Sequence, residues 1–102
     1  MAEFRAVLKL AELPVGSMRA VTVLGRELVI CHTREGVFAL DNICSHAHAR
    51  LCEGRLRGTR LVCPLHGGSF DARDGRVLGA PADAPLACYP VRLSGGSVEV
   101  SL

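Results

Sequence analysis

Two short segments hold the side chains best suited to binding a metal: Cys44-Ser45-His46 and Cys63-Pro64-Leu65-His66, with sixteen residues between His46 and Cys63. Thiols alone would suggest redox or disulfide chemistry, and imidazoles alone would suggest acid–base work. One thiol and one imidazole offered twice, on segments a hairpin apart, suit a single shared inorganic centre. Two sulfur and two nitrogen ligands fit either tetrahedral zinc or an iron–sulfur cluster in which nitrogen replaces sulfur on one iron.

The order of the ligands separates these two. Zinc sites of this composition usually read Cys-x2–4-Cys followed by His-x3–5-His, each pair being of one residue type. Here each pair is mixed. In a Rieske [2Fe–2S] centre one iron takes two thiolates and the other two imidazoles, so each loop supplies one ligand to each iron. The sequence resembles the Rieske family, whose motifs are Cys-x-His and Cys-x-x-His joined by a spacer of this length. The resemblance runs on through Leu51-Cys52-Glu53-Gly54, Gly67-Gly68-Ser69-Phe70-Asp71, Gly79-Ala80-Pro81 and the segment from Pro85 to Val91. These stretches are similar to the small Rieske ferredoxins of ring-hydroxylating dioxygenase systems.

That resemblance implies one Rieske-type [2Fe–2S] cluster, with Cys44 and Cys63 on the buried ferric iron. His46 and His66 would hold the outer, redox-active iron and give the electron its exit. It implies a third, proline-containing loop at Pro81 covering the cluster. It also implies a one-electron carrier that accepts from a flavin-containing ferredoxin reductase and donates to a terminal oxygenase. Such a chain turns over no organic substrate itself, because it has no second domain for a mononuclear iron site. Two other readings stay open: a small subunit of an assimilatory nitrite reductase, which shares the size and general fold, and a structural zinc module.

Several positions depart from parts of the family. Where some Rieske proteins link the ligand loops by a disulfide, this chain has Ala49 and Leu65, so Cys52 is expected as a buried free thiol. Where high-potential members place hydroxyls that donate to cluster sulfurs, it has Gly68 and Phe70, and Ser69 is expected to point elsewhere. His48 offers a second imidazole in the first loop; the resemblance selects His46, and His48 reads as a solvated loop residue, with a docking or proton-linked role as the other reading. Gly54, Gly67 and Gly68 are expected to relieve crowding and turn N–H groups toward the cluster. Cys31, His32 and Cys88 are expected to be packing residues.

The elements that must position these groups read as strands. Val21–Leu24, Glu27–Ile30 and Gly36–Leu40 form a meander, with turns at Gly25-Arg26 and Thr33-Arg34-Glu35. Arg60–Val62 and Arg76–Leu78 are further short strands, with turn signals at Arg57-Gly58-Thr59 and Asp74-Gly75. Val91–Leu93 pairs with Val98–Val100 across Gly95-Gly96. Only Lys9–Leu13 suggests a turn of helix, since no 3.6-residue apolar period persists. The expected fold is all-β: an antiparallel sandwich or barrel-like Rieske domain over residues 1–102, with a cluster-binding insertion of hairpin loops at about 42–81.

Composition narrows the setting. A chain of 102 residues makes one domain of modest core. Its start meets charge at Lys9 and Glu12 rather than a signal segment, so the five cysteines are read as reduced and the location as cytoplasmic. No apolar run reaches the roughly eighteen residues that span a bilayer. No aromatic interleaving supports nucleic-acid binding. The formal charge is +2, with Arg50, Arg55, Arg57 and Arg60 near the ligand loops. These either form a rim that steers acidic partners or reflect a chain-wide preference for arginine, eleven against one lysine.

Overall fold

The computed structural model describes residues 3–45, 49–65 and 67–102. Among these residues eleven antiparallel strands make three small sheets. β1 (Phe4–Lys9), β10 (Val91–Ser94) and β11 (Ser97–Ser101) form the first, in the order β1-β11-β10. β2 (Met18–Val23), β3 (Arg26–Thr33), β4 (Gly36–Asp41) and β9 (Cys88–Tyr89) form the second, in chain order. β5 (Arg55–Arg57), β6 (Arg60–Val62), β7 (Ser69–Asp71) and β8 (Val77–Gly79) form the third, inserted between β4 and β9.

Turn chemistry sets the registers. Leu24 and Gly25, with φ of 52° and 78°, join Val23 to its partner Arg26. Two consecutive positive φ values make the primed hairpin turn that matches strand twist. The turn is therefore Leu24-Gly25, one residue earlier than expected. Gly95 and Gly96, at 58° and 81°, do the same between Ser94 and Ser97, as expected. The expected helical turn is a single 3-10 turn, Leu10–Glu12, and a second occurs at Leu51–Glu53.

β3 lies between β2 and β4, and side chains from both its faces are buried. Leu28 and Ile30 join Leu13, Val23, Ala39, Val98 and Val100 in a core shared with the first sheet. Val29 and Cys31 join Leu40, Cys44, Leu51, Leu61, Cys63 and Phe70 in a second core beneath the inserted sheet. Strand alternation thus divides one strand between two cores. One core is the base, and the other carries both candidate cysteine ligands.

The inserted sheet is tied to the base by charge as well. Asp71, buried on β7, accepts from Arg73 Nη2 at 2.8 Å and Nε at 3.0 Å and from Arg76 Nη2 at 3.3 Å. Arg73 also reaches Glu35 on the β3–β4 turn at 3.1 Å. The Arg73 hydrogen bonds hold the Asp71 carboxyl down at about 2, against the cost of its burial.

Candidate metal centre

Cys44 sits at the start of an excursion from β4. Ile43 bridges antiparallel to Arg50, and Cys44 N–H donates to Ala49 O at 2.9 Å, so the two stems of this first loop are paired. Its root is Asn42, which is fully buried. The Asn42 amide donates to Glu27 Oε1 at 2.6 Å and to Cys52 Sγ at 3.3 Å, and its Oδ1 accepts Cys52 N–H at 2.8 Å. Its own carbonyl takes Leu51 N–H at 2.6 Å. Arg50 closes the ring by donating to Glu27 at 2.7 Å. One side chain thereby joins β3, the loop stem and the second 3-10 turn.

Cys63 begins the loop at the tip of the β6–β7 hairpin, where its N–H donates to Gly68 O at 2.7 Å. Gly67 turns that loop with φ of 74°, a conformation open to glycine and strained for other residues. Gly54 relieves crowding, as expected, and does so against the backbone of β6. A Cβ there would strike the Val62 carbonyl, so this glycine lets the second 3-10 turn approach β6. A third loop follows β8. Ala82 and Leu86 bury themselves in the second core, Leu86 N–H donates to Gly75 O at 2.9 Å, and Ser45 Oγ donates to Ala84 O at 2.6 Å. The first loop is therefore fastened to the segment just after Pro81.

The structure brings Cys44 and Cys63 together, at 4% and 2% exposure, with their thiols in hydrogen-bond reach. Burial pushes the Cys63 thiol up, Leu65 N–H donating to its sulfur pulls it down, and the adjacent Cys44 thiol raises it further. His46, His48 and His66 lie outside the described residues, so the choice between His46 and His48 does too. Among the described residues no set of three or more His, Cys, Asp and Glu side chains gathers to hold a metal ion.

Other cysteines divide more sharply than expected. Cys31 is a packing residue: fully buried, its thiol is pushed up to about 12 by loss of water. Cys88 is exposed rather than packed, because the two-residue β9 pairs only along β4 and covers little. Cys52 is half-buried, its sulfur against the Asn42 amide. No disulfide joins the described cysteines. His32 packs as expected, with Nδ1 2.6 Å from Leu13 O. Ser69 is buried, but its Oγ accepts from Arg60 Nη1 at 2.7 Å and lies against Gly79. Asn42 and the Ser45–Ala84 link are parts of the site that sequence reasoning misses. A lone Asn before Ile43-Cys44 gives little warning that a buried amide is needed.

Residues 3–90 match the Rieske [2Fe-2S] domain family. The chain belongs to that family. The ferredoxin component of a naphthalene 1,2-dioxygenase system from Pseudomonas aeruginosa is 41% identical over 93 residues, spanning 91% of this chain and 89% of the relative. Among solved structures, the ferredoxin of carbazole 1,9a-dioxygenase from Nocardioides aromaticivorans IC177 superposes with a TM-score of 0.91 at 33% identity, covering 95% of each chain. A chain from a complex of reduced oxygenase and oxidised ferredoxin in carbazole 1,9a-dioxygenase superposes equally well, at 0.91 and 29% identity, over 96% of this chain and 92% of its own.

The residues present fit a Rieske cluster. Two buried thiols in mutual reach, with the Leu65 N–H aimed at one sulfur, suit the thiolate side of such a centre and its outer-shell support. No helix among the described residues is long and apolar enough to cross a membrane.

Proposed function

We propose that this protein is the cytoplasmic one-electron carrier of a multicomponent oxygenase system, acting as one domain over residues 1–102 with its cluster-binding insertion at about 42–81. It takes an electron from a flavin-containing reductase and delivers it to a terminal, ring-hydroxylating oxygenase, and it catalyses no reaction on organic substrate. Cys44 and Cys63 hold one iron of the cluster, and His46 and His66 hold the other. The single observation that carries the reading is the meeting of Cys44 and Cys63 on two adjoining loops, within a chain matched over nearly its whole length by dioxygenase ferredoxins.

When bound, the cluster supplies one-electron chemistry with imidazole ligation that raises its potential above that of an all-thiolate centre. The protein's part is to hold and insulate. Leu51, Leu61 and Phe70, all fully buried, close off the inner side around the two thiols. Leu65 N–H donates to the Cys63 sulfur and offsets negative charge there. Ser45 clasps the third loop over the first.

Purified protein should contain two irons and two acid-labile sulfides per chain and show a Rieske-type electron paramagnetic resonance spectrum when reduced. With a flavoprotein reductase and an oxygenase it should restore electron flow, and alone it should oxygenate nothing. Stoichiometric zinc without sulfide, or oxygenation by the isolated chain, would overturn the proposal.

A further inference from the structure

The arginines are unevenly satisfied. Arg5, Arg50, Arg73, Arg76 and Arg92 each face a carboxylate. Arg26 donates to Tyr89 Oη at 2.8 Å, and that hydroxyl donates to Asp41. Among the described residues Arg19, Arg34, Arg55 and Arg57 have no such partner, and Arg60 reaches only the neutral Ser69 hydroxyl. Arg19 on β2 and Arg34 in the β3–β4 turn stand apart, whereas Arg55, Arg57 and Arg60 are gathered on the short β5–β6 hairpin.

Register places them on one face. Leu56 pairs with the buried Leu61 and points inward, so Arg55, Arg57, Arg60 and Val62 point outward. Arg57 stands directly opposite Arg60, and like charges so placed cost stability. Asp71, across from Arg60 on β7, would relieve them, but its carboxylate is already taken by Arg73 and Arg76. At the other end of the strip Arg55 and Val62 line a cleft of about 280 Å³ with Glu53, Cys63, Pro64 and Gly67, where the Glu53 carboxylate is paired with Arg50 at 3.6 Å. The positive strip therefore runs from the hairpin tip to the second ligand loop.

We propose that the outward face of the β5–β6 hairpin, formed by Arg55, Arg57 and Arg60, is a docking surface for a carboxylate-rich face of an electron-transfer partner, seating that partner beside the Cys63–Gly67 loop. The inference rests on the electron-carrier reading above. An unpaired guanidinium presents a planar fork to incoming carboxylates. An excess of positive charge beside the ligand loop steers encounter and orientation more than it adds affinity.

The test uses the intact, cluster-loaded protein and the exposed double variant Arg55→Gln/Arg57→Gln, whose unchanged visible spectrum certifies its fold. Reduced protein is oxidised in a stopped-flow instrument by ferricyanide, an anion, and separately by tris(phenanthroline)cobalt(III), a cation. At about 10 mM salt, where charges act over roughly 30 Å, the variant should react with ferricyanide on the order of ten-fold more slowly, the low end of surface steering. Its reaction with the cobalt complex should be unchanged or faster, and the ferricyanide difference should vanish near 1 M salt. Poly-L-glutamate, as a carboxylate probe, should slow ferricyanide for the wild type and not for the variant. Equal rates for the two proteins, a change of the same sign with both oxidants, or indifference of the wild type to poly-L-glutamate would each overturn the proposal. Failure of the carrier reading itself would look different, since no reducible chromophore would be present to begin with.

Discussion

Replacing Asn42 by Leu, similar in size and unable to hydrogen-bond, should loosen the first ligand loop without unfolding the base. The bond to the Glu27 carboxylate that disappears is worth roughly 1.5–3 kcal/mol, and the stranded Cys52 N–H costs about 1–3 kcal/mol more. The apolar side chain returns part of this by its own burial, leaving a net penalty of about 3 kcal/mol. Because the Asn42 side chain ties Cys52 and Glu27 together at the root of the loop, the penalty falls on local opening. Three kilocalories correspond to about a hundred-fold in an opening equilibrium, so bleaching of the visible chromophore under an excess of an iron chelator should accelerate by about that factor. Asn42→Asp keeps the acceptor for Cys52 N–H but buries a carboxyl against Glu27, and should bleach at least as fast as Asn42→Leu. Val98→Ala, which opens a cavity in the base core, should lower the urea midpoint while changing the bleaching rate little. A bleaching rate for Asn42→Leu within about threefold of wild type would mean that the amide does not hold the loop, and the reasoning from its buried hydrogen bonds would fail.

His46→Ala or His66→Ala should abolish the Rieske spectrum and His48→Ala should leave it nearly intact; the opposite result for His46 and His48 would reassign the ligand. The midpoint potential should lie near the low end of the Rieske range, which runs from about −150 to +300 mV. Gly68 and Phe70 carry no hydroxyl, and the Ser69 hydroxyl is engaged by Arg60; voltammetry giving more than about +150 mV, in the upper part of that range, would contradict this. The Asp71 carboxyl, held at about 2 against an ordinary 3.8, contributes stability that is fully present above its unfolded value. That contribution is lost as pH falls toward 2 and amounts to about 2 kcal/mol at neutral pH. Asp71→Asn should therefore lower the urea midpoint at pH 7, and its midpoint should fall less than the wild type's between pH 5 and pH 3; parallel falls would remove the ion-pair argument.

The sequence discloses the chemistry more fully than the scaffold. Mixed Cys/His spacing forces a two-loop site, and the glycine pair at Gly95-Gly96 forces a hairpin, because both are local constraints. β1, β5 and β7 are hard to read for different reasons. Phe4–Lys9 has no clean alternation because it pairs only with β11 through a bulge. Arg55–Arg57 and Ser69–Asp71 are three residues long, and Asp71 is a buried strand residue only because two arginines reach back to it from the turn that follows. The Asn42 network is illegible for a related reason: its partners lie ten and fifteen residues away, and nothing in a single line of sequence announces that they converge. Cys88 reads as a packing residue because an apolar neighbourhood in sequence does not reveal that its strand is two residues long.

β3 has a further consequence for motion. Leu28, Val29, Ile30 and Cys31 are all fully shielded, and their strand is hydrogen-bonded on both sides. Exposing those amides to solvent requires separating both cores, so they should exchange their hydrogens only through global unfolding. The amides of the ligand-loop stems, held by single paired bonds and a side-chain ring, can exchange through smaller openings. Hydrogen exchange should accordingly resolve a rigid floor beneath a roof that opens alone, which lets the cluster be assembled or lost while the rest of the protein stays folded.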